Sequence, residues 1–469
     1  MTTELPSIIS TAGSEPFAYF DELRAADPVH WDEGMRAWVV TDFELAKDVM
    51  RRDKKDFRHP FADMMTEAMI AIEGGPRARN FQHGETHLRM HRWILSEFHP
   101  RRVDAWRSTM IRPVADHLLS RFAHRGSADL MRDLADPLPV RVMAAVMGLP
   151  WQDDDWINEC KHLMDAKLEY LQHQGQDEDP GLAARTIEAM RKFDDLLRPY
   201  VQERRNSAED DFISRTWRDG TTMIEDWAER DTLGMVTGMF FAGSDTTMHT
   251  LANAFVLLLT DGKLAHDVRT GGDQAIERFA EEALRLHGAV QFRLRKANHD
   301  TEIGGVVIAK DETVLNLHAA ANRDSSQFAC PHQAKLDREQ PRRPQDHLAF
   351  SFGPRSCAGA ALARAEVQET VKAVLEWFPD LRLAAHEAPI GDYEGSRSGP
   401  TPRWTWSSPQ WSGPLSRPPP RSASLMSSDH NEATFPSSES PAIATRHSFA
   451  ARTGENSNPG LSSTVEVIP

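Results

Sequence analysis

Apolar residues recur at helical spacing along most of the chain, and only short stretches show the alternation typical of strands. The longest apolar segment predicts a buried helix over 231–260, because Asp245, His249 and several Thr and Gly residues interrupt it and argue against a membrane span. The same spacing predicts further helices at 17–25, 43–52, 85–98, 273–287 and 360–378 and, with interruptions, over 103–205. We therefore expect a mainly helical chain.

Short alternating stretches predict small sheets. One lies near the start, at 37–41, and is followed by Asp42, which suits the cap of the next helix. Three more stretches precede the last predicted helix: 292–297, 302–308 around a Gly-Gly turn, and 313–317. The segment 56–84 mixes Met, Phe, Gly and Pro without a period. We interpret it as a long loop, which in a compact enzyme is often functional.

Composition divides the chain into a long globular part and a tail. Hydrophobic residues make up 40% of the 469 residues and charged residues 26%, which is ordinary for a globular enzyme. After Trp411 the chain becomes dense in Ser, Pro and Thr, and such a composition buries too little apolar surface to fold alone. We expect an N-terminal extension over 1–15, a single domain over 16–411 and a disordered tail over 412–469. The tail is a docking segment, a linker remnant or without function, and we favour the last.

Charge and cysteine usage limit the partners and the compartment. The net charge of −16 argues against nucleic acid as the main partner, because neutralising phosphates needs a basic surface. Cys160, Cys330 and Cys357 are far apart and odd in number, which argues against a disulfide framework or a zinc site and favours a reducing compartment. The first 16 residues show no secretory signal. We expect a soluble, cytoplasmic protein with no membrane partner.

The strongest local pattern is the stretch 350–359, in which Cys357 lies between Gly353 and Gly359, just before a predicted helix. A reactive thiolate needs positive potential and backbone donors, and the N-terminal end of that helix would supply both. The glycines let the backbone approach a flat ligand closely. The alternative is that Cys357 is a small buried hydrophobe.

A second pattern lies inside the long apolar helix, at 242–247. An aspartate and two threonines are costly there unless they are paired or functional. In a structural role, the Thr246 hydroxyl would bond back to the carbonyl of Ala242 and bend the helix. Alternatively, the local opening makes room for a ligand and ordered water.

These patterns, in this order, resemble the cytochrome P450 family. The stretch 350–359 matches the haem signature Phe-x-x-Gly-x-Arg-x-Cys-x-Gly at every fixed position, namely Phe350, Gly353, Arg355, Cys357 and Gly359. The stretch 242–246 matches Ala-Gly-x-Asp/Glu-Thr of the helix that crosses the haem. Glu282 and Arg285 match the family's Glu-x-x-Arg pair; taken alone they would predict only a weak surface pair.

The resemblance implies which residues hold haem b. Cys357 would bind the iron, and thiolate ligation favours cleavage of the O–O bond. Arginines suit the haem propionates because a guanidinium pairs with a carboxylate through two bonds. The haem-binding residues that the resemblance implies are Cys357, Arg355, Arg295, His87, His91, Phe350 and Gly359. Members usually carry Arg where this chain has His91, so the propionate contact there falls to His91 or to Arg92.

The resemblance also implies roles on the side of the haem opposite the cysteine. Gly243 would widen the groove where dioxygen binds, and Asp245 and Thr246 would relay protons during its activation. A structural cluster behind the cysteine loop would consist of three residues, Glu282, Arg285 and Arg338.

The resemblance covers roughly 16–406 and implies the cytochrome P450 fold, mainly α with small β-sheets, with haem between the long helix and the helix after the cysteine loop. It implies a mono-oxygenase that uses O2 to oxidise an apolar small molecule, most simply by hydroxylation, with secondary metabolism as a setting. The chain shows no dinucleotide or iron–sulphur motif, so NAD(P)H electrons would arrive through a separate reductase and a ferredoxin or flavodoxin. Candidate docking cations are Arg89, Arg92, Arg101 and Arg102.

Two alternatives stay open. A peroxide-driven haem-thiolate enzyme fits poorly, because such relatives usually replace the acid and alcohol that this chain keeps at Asp245 and Thr246. A non-catalytic haem protein would have no use for that pair. The substrate is equally open, since the segments 56–84, 161–176 and 288–291, which would line the pocket, suit terpenoid, polyketide, peptide-derived or aromatic compounds.

Overall fold

The computed structural model describes residues 16–63, 65–172, 181–338, 347–383 and 410–412. Helices make up most of this part of the chain. The α-helices are α1 (Phe17–Ala26), α2 (Phe43–Arg51), α3 (Glu67–Ile72), α4 (Gly84–Glu97), α5 (Pro100–Trp106), α6 (Arg112–Phe122), α7 (Pro137–Val146), α8 (Asp154–Gln172), α9 (Leu182–Glu203), α10 (Phe212–Met223), α11 (Glu229–Thr260), α12 (Gly262–Thr270), α13 (Gly272–His287), α14 (His318–Ala321) and α15 (Ala360–Trp377).

The strands form small sheets. They are β1 (Val29–Asp32), β2 (Ala37–Val40), β3 (Phe57–Arg58), β4 (Ser127–Asp129), β5 (Arg293–Ala297), β6 (Thr301–Ile303), β7 (Val306–Ile308), β8 (Thr313–Asn316) and β9 (Gln410–Ser412). The main sheet has the order β1-β2-β8-β5-β3, in which only the β2–β8 pair is parallel. β6 and β7 form a hairpin, and β4 pairs with β9.

The core is built around the 32-residue helix α11. Its apolar side chains, among them Phe240, Leu251 and Phe255, are fully buried. They pack against α7, α9, α13 and α15. Because this helix is apolar nearly all round, it must be surrounded by other helices, as its sequence predicts.

The predicted mainly helical fold with small sheets is confirmed, and the helices and strands that were predicted one by one begin and end within about two residues of their predicted bounds. The elements α10, α12, α14, β1 and β3 were not predicted. Asp42 caps α2, because its carboxylate accepts a hydrogen bond from the Leu45 N–H at 2.8 Å. The interpretation of 56–84 as a loop is wrong in part. That segment contains α3, which begins after Thr66, whose hydroxyl accepts from the Met69 N–H at 3.2 Å.

The ends of the chain were predicted to be an extension and a tail. The extension, 1–15, and the tail beyond Ser412 lie outside the described residues, so both remain predictions. The predicted boundary at 411 falls inside β9, which pairs with β4 of the domain. None of the described helices has the length and apolarity needed to cross a bilayer.

Candidate active site

A cavity of about 500 Å³ lies between α11 and the loop that precedes α15. It brings together residues that are far apart in sequence, from α4, α11, β5 and the cysteine loop. The predicted site residues that line it are His87, Gly243, Thr246, Arg295, Phe350, Arg355, Cys357 and Gly359. The predicted residues that do not line it are His91, Asp245, Glu282, Arg285 and Arg338.

The cysteine loop is held by its own backbone. The Cys357 N–H donates to the Phe350 carbonyl at 2.8 Å, and the Ser356 N–H donates to the Gly353 carbonyl at 3.1 Å. Gly353 has φ 73°, and a Cβ there would lie 2.8 Å from the Met50 carbonyl oxygen, so only glycine fits. These bonds fix the direction of the Cys357 side chain toward the cavity.

The surface around Cys357 is open on the cavity side. A Cβ on Gly359 would meet nothing nearer than Cys357 Sγ, at 4.0 Å. Burial raises the pKa of the Cys357 thiol, whereas the Gly359 N–H, Arg293 and Arg79 lower it. A metal ion bound to the sulphur would displace the proton. The loop therefore offers one sulphur ligand beside a flat, unobstructed backbone.

Positive charge concentrates at the edge of the cavity nearest the sheet. Arg295 on β5 and Arg355 in the cysteine loop share a single carboxylate, with their Nε atoms 3.0 and 3.1 Å from the two oxygens of Asp53. Two guanidiniums and one carboxylate leave a net positive charge in a buried place. Such an arrangement suits a further carboxylate from a ligand.

The two histidines of α4 stack on each other, with ring centroids 5.6 Å apart. Burial, followed by nearby arginines, lowers the pKa of His87 to about 3 and that of His91 to about 4, so both rings are neutral at pH 7. His91 lies behind His87, and its Nδ1 is 3.3 Å from a guanidinium nitrogen of Arg79. Arg92 is exposed and pairs with Glu85 instead. The cation that the structure places on the cavity side here is therefore Arg79, and not Arg92.

Asp245 and Thr246 are adjacent on α11 but face different spaces. Thr246 lines the main cavity, and its hydroxyl donates to the Ala242 carbonyl at 2.8 Å. Asp245 faces a second, smaller cavity beside Lys161 of α8. Burial raises the pKa of Asp245, and His249, whose Nε2 is 3.6 Å away, opposes the shift.

Gly243 permits a close helix contact. It lines the main cavity, but a Cβ there would lie 2.5 Å from the sulphur of Met143 on α7. The space that a side chain would take is thus filled by Met143. Its predicted role in widening a groove for dioxygen stays a prediction.

The predicted structural cluster is assembled and buried. Arg285 donates two hydrogen bonds of 2.9 Å to the Glu282 carboxylate, and the Arg338 Nε lies 3.2 Å from both of its oxygens. The side chains of Glu282 and Arg285 are 2% and 0% exposed. Arg285 also donates to the carbonyls of Asn322, Pro331 and Gln333. The cluster thereby joins α13 to the irregular segment before the cysteine loop.

Comparison with known proteins decides the family. The cytochrome P450 family model matches residues 28–381, which include every predicted site residue. The chain belongs to the cytochrome P450 family. It is therefore a haem-thiolate mono-oxygenase, whose family takes electrons from a separate redox system.

The chain is similar to bacterial cytochromes P450. "Cytochrome P450 109" from Bacillus spizizenii is 28% identical over 379 residues, which are 79% of this chain and 86% of that protein. The "Biotin biosynthesis cytochrome P450" of Bacillus subtilis is 27% identical over 384 residues, 81% of this chain and 94% of that protein. The crystal structure of the cytochrome P450 CYP109B1 from Bacillus subtilis superposes with a TM-score of 0.69 at 25% identity, covering 85% of this chain and 99% of the other.

The donor set of this cytochrome P450 fits haem. One cavity presents a sulphur ligand beside an open glycine backbone and guanidiniums that outnumber their carboxylate. The buried Nδ1 of His87 has no hydrogen-bond partner among the described residues. A carboxylate ligand would satisfy such a site.

Sequence reasoning missed three residues of this site, Asp53, Arg79 and Arg293. Arg293 had a signal, because residues two apart on a strand share a face and Arg295 was already assigned to the site. Asp53 and Arg79 have no local signal, because Asp53 lies just before the segment 56–84 and Arg79 lies inside it, where no periodicity marks a functional residue. Their contacts with the site span 302 and 12 residues of sequence.

Proposed function

We propose that this cytochrome P450 hydroxylates an apolar small molecule with NAD(P)H electrons delivered by a separate reductase and a ferredoxin or flavodoxin. The observation that carries the proposal is the single cavity that Cys357 and Thr246 share. Its lining between them is rich in apolar side chains, such as Met90, Met143, Met235, Met239, Phe241 and Val290. Secondary metabolism as the setting stays a prediction.

The residues around the cavity would bind haem on one side and the substrate on the other. Cys357 would ligate haem iron, and Arg295, Arg355 and His87 would hold the propionate edge. Bound there, haem supplies the activation of dioxygen and the transfer of one oxygen atom. The apolar wall would hold the substrate by excluding water, while the buried polar groups fix its orientation.

Thr246 and Asp245 would deliver protons. The Thr246 hydroxyl faces the cavity and is held by the Ala242 carbonyl at 2.8 Å, so it can hold and orient a water molecule there. Asp245 is half-buried in the second cavity, beside Lys161, and its carboxylate lies 3.6 Å from the Nε2 of His249. A rotation of its side chain would connect that cavity to Thr246. This is general acid catalysis through water.

The electron partner would dock on the face of α4 and α5 that points away from the cavity. Arg89, Arg92 and Arg101 are exposed there. Arg102 is a weaker candidate, because it is half-buried and bonds to Glu97 at 3.1 Å. An acidic partner suits this local basic patch despite the net charge of −16.

The proposal is tested by reconstitution under labelled dioxygen. The holoenzyme is combined with NADPH, a reductase and either a ferredoxin or a flavodoxin, and apolar compounds that change the haem spin state are used as substrates. We expect one labelled oxygen atom in the product, and dependence on both protein partners. If hydrogen peroxide alone supports the same rate, the peroxide-driven alternative is correct. If no compound gains labelled oxygen, the proposed hydroxylase function is wrong.

The Thr246→Ala variant is expected to uncouple turnover. Without the hydroxyl, the water that it orients is lost, so product per NADPH should fall by about 10- to 100-fold and hydrogen peroxide should be released instead. Product, NADPH and peroxide are measured together. Thr260→Ala is the matched control, because Thr260 makes the same bond to a carbonyl four residues earlier, at 2.7 Å, at the end of the same helix. Unchanged coupling in Thr246→Ala would contradict the relay role.

A further inference from the structure

The end of the cavity near the cysteine loop and β5, called the inner end below, carries more positive charge than the two propionates of haem would neutralise. Four guanidiniums line it, from Arg79, Arg293, Arg295 and Arg355. Asp53 pairs with the last two of these. Among the described residues, no carboxylate forms an ion pair with Arg79 or Arg293. Three positive charges therefore remain after Asp53 is counted once.

The other ionisable groups of the lining do not offset this charge. Burial lowers the pKa of His59 well below its usual range and that of His87 to about 3, so both are neutral. Burial likewise raises the pKa of Glu366 well above its usual range, so it is protonated. Lys167 faces Glu73 at 3.9 Å, and these two cancel.

The other arginines that line the cavity, at the end opposite the cysteine loop, form ion pairs with aspartates. Arg77 bonds to Asp226 and Asp231, and Arg230 bonds to Asp194. These pairs contribute no surplus positive charge to the inner end. The unbalanced charge is thus confined to the four guanidiniums near the cysteine loop.

Haem removes only part of the surplus. Ferric iron, the porphyrin dianion and the Cys357 thiolate are neutral together, so the bound group brings the two negative charges of its propionates. Arg295 and Arg355, which share Asp53, and Arg79, which contacts His91, would hold the two propionates. One positive charge is left without a partner inside the cavity, where an unpaired charge is costly once the cavity is filled and water is excluded.

Arg293 is the guanidinium most available to a second ligand. It lies two residues before Arg295 on β5 and so shares the face that lines the cavity. The free surface of its side chain faces the cavity and not the outside of the protein. The protein around the guanidinium keeps water away from it, and this desolvation, followed by the charge of Arg295, lowers the pKa of Arg293 to about 10. At pH 7 the group is still a cation.

The neighbours of Arg293 offer it no counter-charge. Asn316 lies directly opposite on β8, and its buried amide has no hydrogen-bond partner among the described residues. His318 follows, and burial, Arg293 and Arg295 lower its pKa to about 3. Within the described part of the chain, the sheet side of the cavity therefore presents one cation without a carboxylate partner, Arg293, among neutral polar groups.

We propose that the substrate carries an oxyanion, a carboxylate or a phosphate monoester, on an otherwise apolar body, and that Arg293 binds this group. The inference rests on the proposed oxygenase function and narrows its substrate class. A guanidinium pairs with either oxyanion through two parallel bonds. The apolar wall of Met235, Met239 and Phe241 would take the rest of the molecule. Arg293 would thus set the orientation of the substrate.

The test compares charged and neutral probes that share one body. Dodecanoate, dodecyl phosphate and methyl dodecanoate form one series; 4-cyclohexylbenzoate, 4-cyclohexylphenyl phosphate and methyl 4-cyclohexylbenzoate form a second. Binding to the ferric holoenzyme is measured by the spin-state change and, independently, by calorimetry. We expect at least one anion to bind about 10- to 100-fold more tightly than its neutral ester. The better of carboxylate and phosphate identifies the natural head group.

Two variants assign the effect to Arg293. In Arg293→Gln the preference for the anion should fall by the same factor, while the ester binds as before. Lys296→Gln is the matched control, because it removes a positive charge from the same strand where the side chain points away and pairs with Asp63 at 3.2 Å. That variant should keep the full preference.

Three results would overturn the proposal. The wild-type enzyme could show no preference for any anion in either series. Arg293→Gln could keep the preference unchanged. Arg293→Gln could instead release haem more readily and leave anion binding intact, which would make Arg293 a propionate ligand. None of these results depends on turnover, so failure here is distinct from failure of the oxygenase function, which the labelled-dioxygen experiment reports.

Discussion

The Cys357→Ser variant is expected to lose the strongly red-shifted absorption band that thiolate-ligated ferrous haem shows with carbon monoxide. Its oxygenase rate should fall by about a thousandfold or more, equivalent to roughly 4 kcal/mol of activation free energy. The reason is chemical, because a serine oxygen cannot donate electron density to the iron as a thiolate does, and that donation favours O–O cleavage.

The fold should survive this substitution. The loop is held by the Cys357 N–H bond to Phe350 at 2.8 Å and by the turn at Gly353, and neither uses the sulphur. The spectrum of the reduced protein with carbon monoxide is therefore compared in variants that still bind haem. Cys330→Ser, which changes an exposed cysteine, is the control and should keep the band. A red-shifted band in Cys357→Ser would mean that another residue ligates the iron.

The sequence was informative wherever function and structure depend on neighbours in the chain. The α11 segment is apolar and the cap at Asp42 is local, so both were predictable from spacing. The cysteine loop was predictable for the same reason, since its fixed residues span ten positions. The helix α3 was missed because Met, Pro and Gly around it obscure a six-residue element that tertiary packing stabilises.

The charge balance of the site was not predictable from spacing. Asp53 contacts Arg295 and Arg355 across more than 240 residues, and no local pattern marks it. The sequence offered His91 or Arg92 for one propionate contact, whereas the structure places Arg79 on the cavity side and Arg92 on the surface. An arginine from another segment can supply a charge that α4 itself does not, because what matters at the site is the position of the charge and not its origin.

The cavities that Asp245 and Thr246 face were likewise not predictable from the sequence motif. Adjacent residues on a helix point about 100° apart, so a motif of two neighbours does not by itself say whether both side chains face one cavity. The structure assigns Thr246 to the main cavity and Asp245 to the second one. A relay between them requires motion or water, and that is why the Thr246 prediction is read through coupling and not through binding.

The Glu282→Gln variant is expected to destabilise the protein by about 3–5 kcal/mol, which is the largest stability effect that we predict. The Glu282 carboxylate is 2% exposed and accepts hydrogen bonds from Arg285, from Arg338 and from the Lys335 N–H. Glutamine keeps the shape but removes the charge, so two guanidiniums would share a neutral amide. Arg285 cannot turn to solvent, because its other donors are already bound to three carbonyls.

This destabilisation should appear as a melting temperature lower by roughly 5 °C, given the unfolding entropy of a chain of this size. Haem should also be lost more readily, since the cluster supports the segment before the cysteine loop. Glu277→Gln, on the exposed face of the same helix α13, is the matched control and should change stability by less than about 0.5 kcal/mol. If the two variants melt alike, the cluster is not what holds the cysteine loop against α13, and the loop's own backbone bonds suffice.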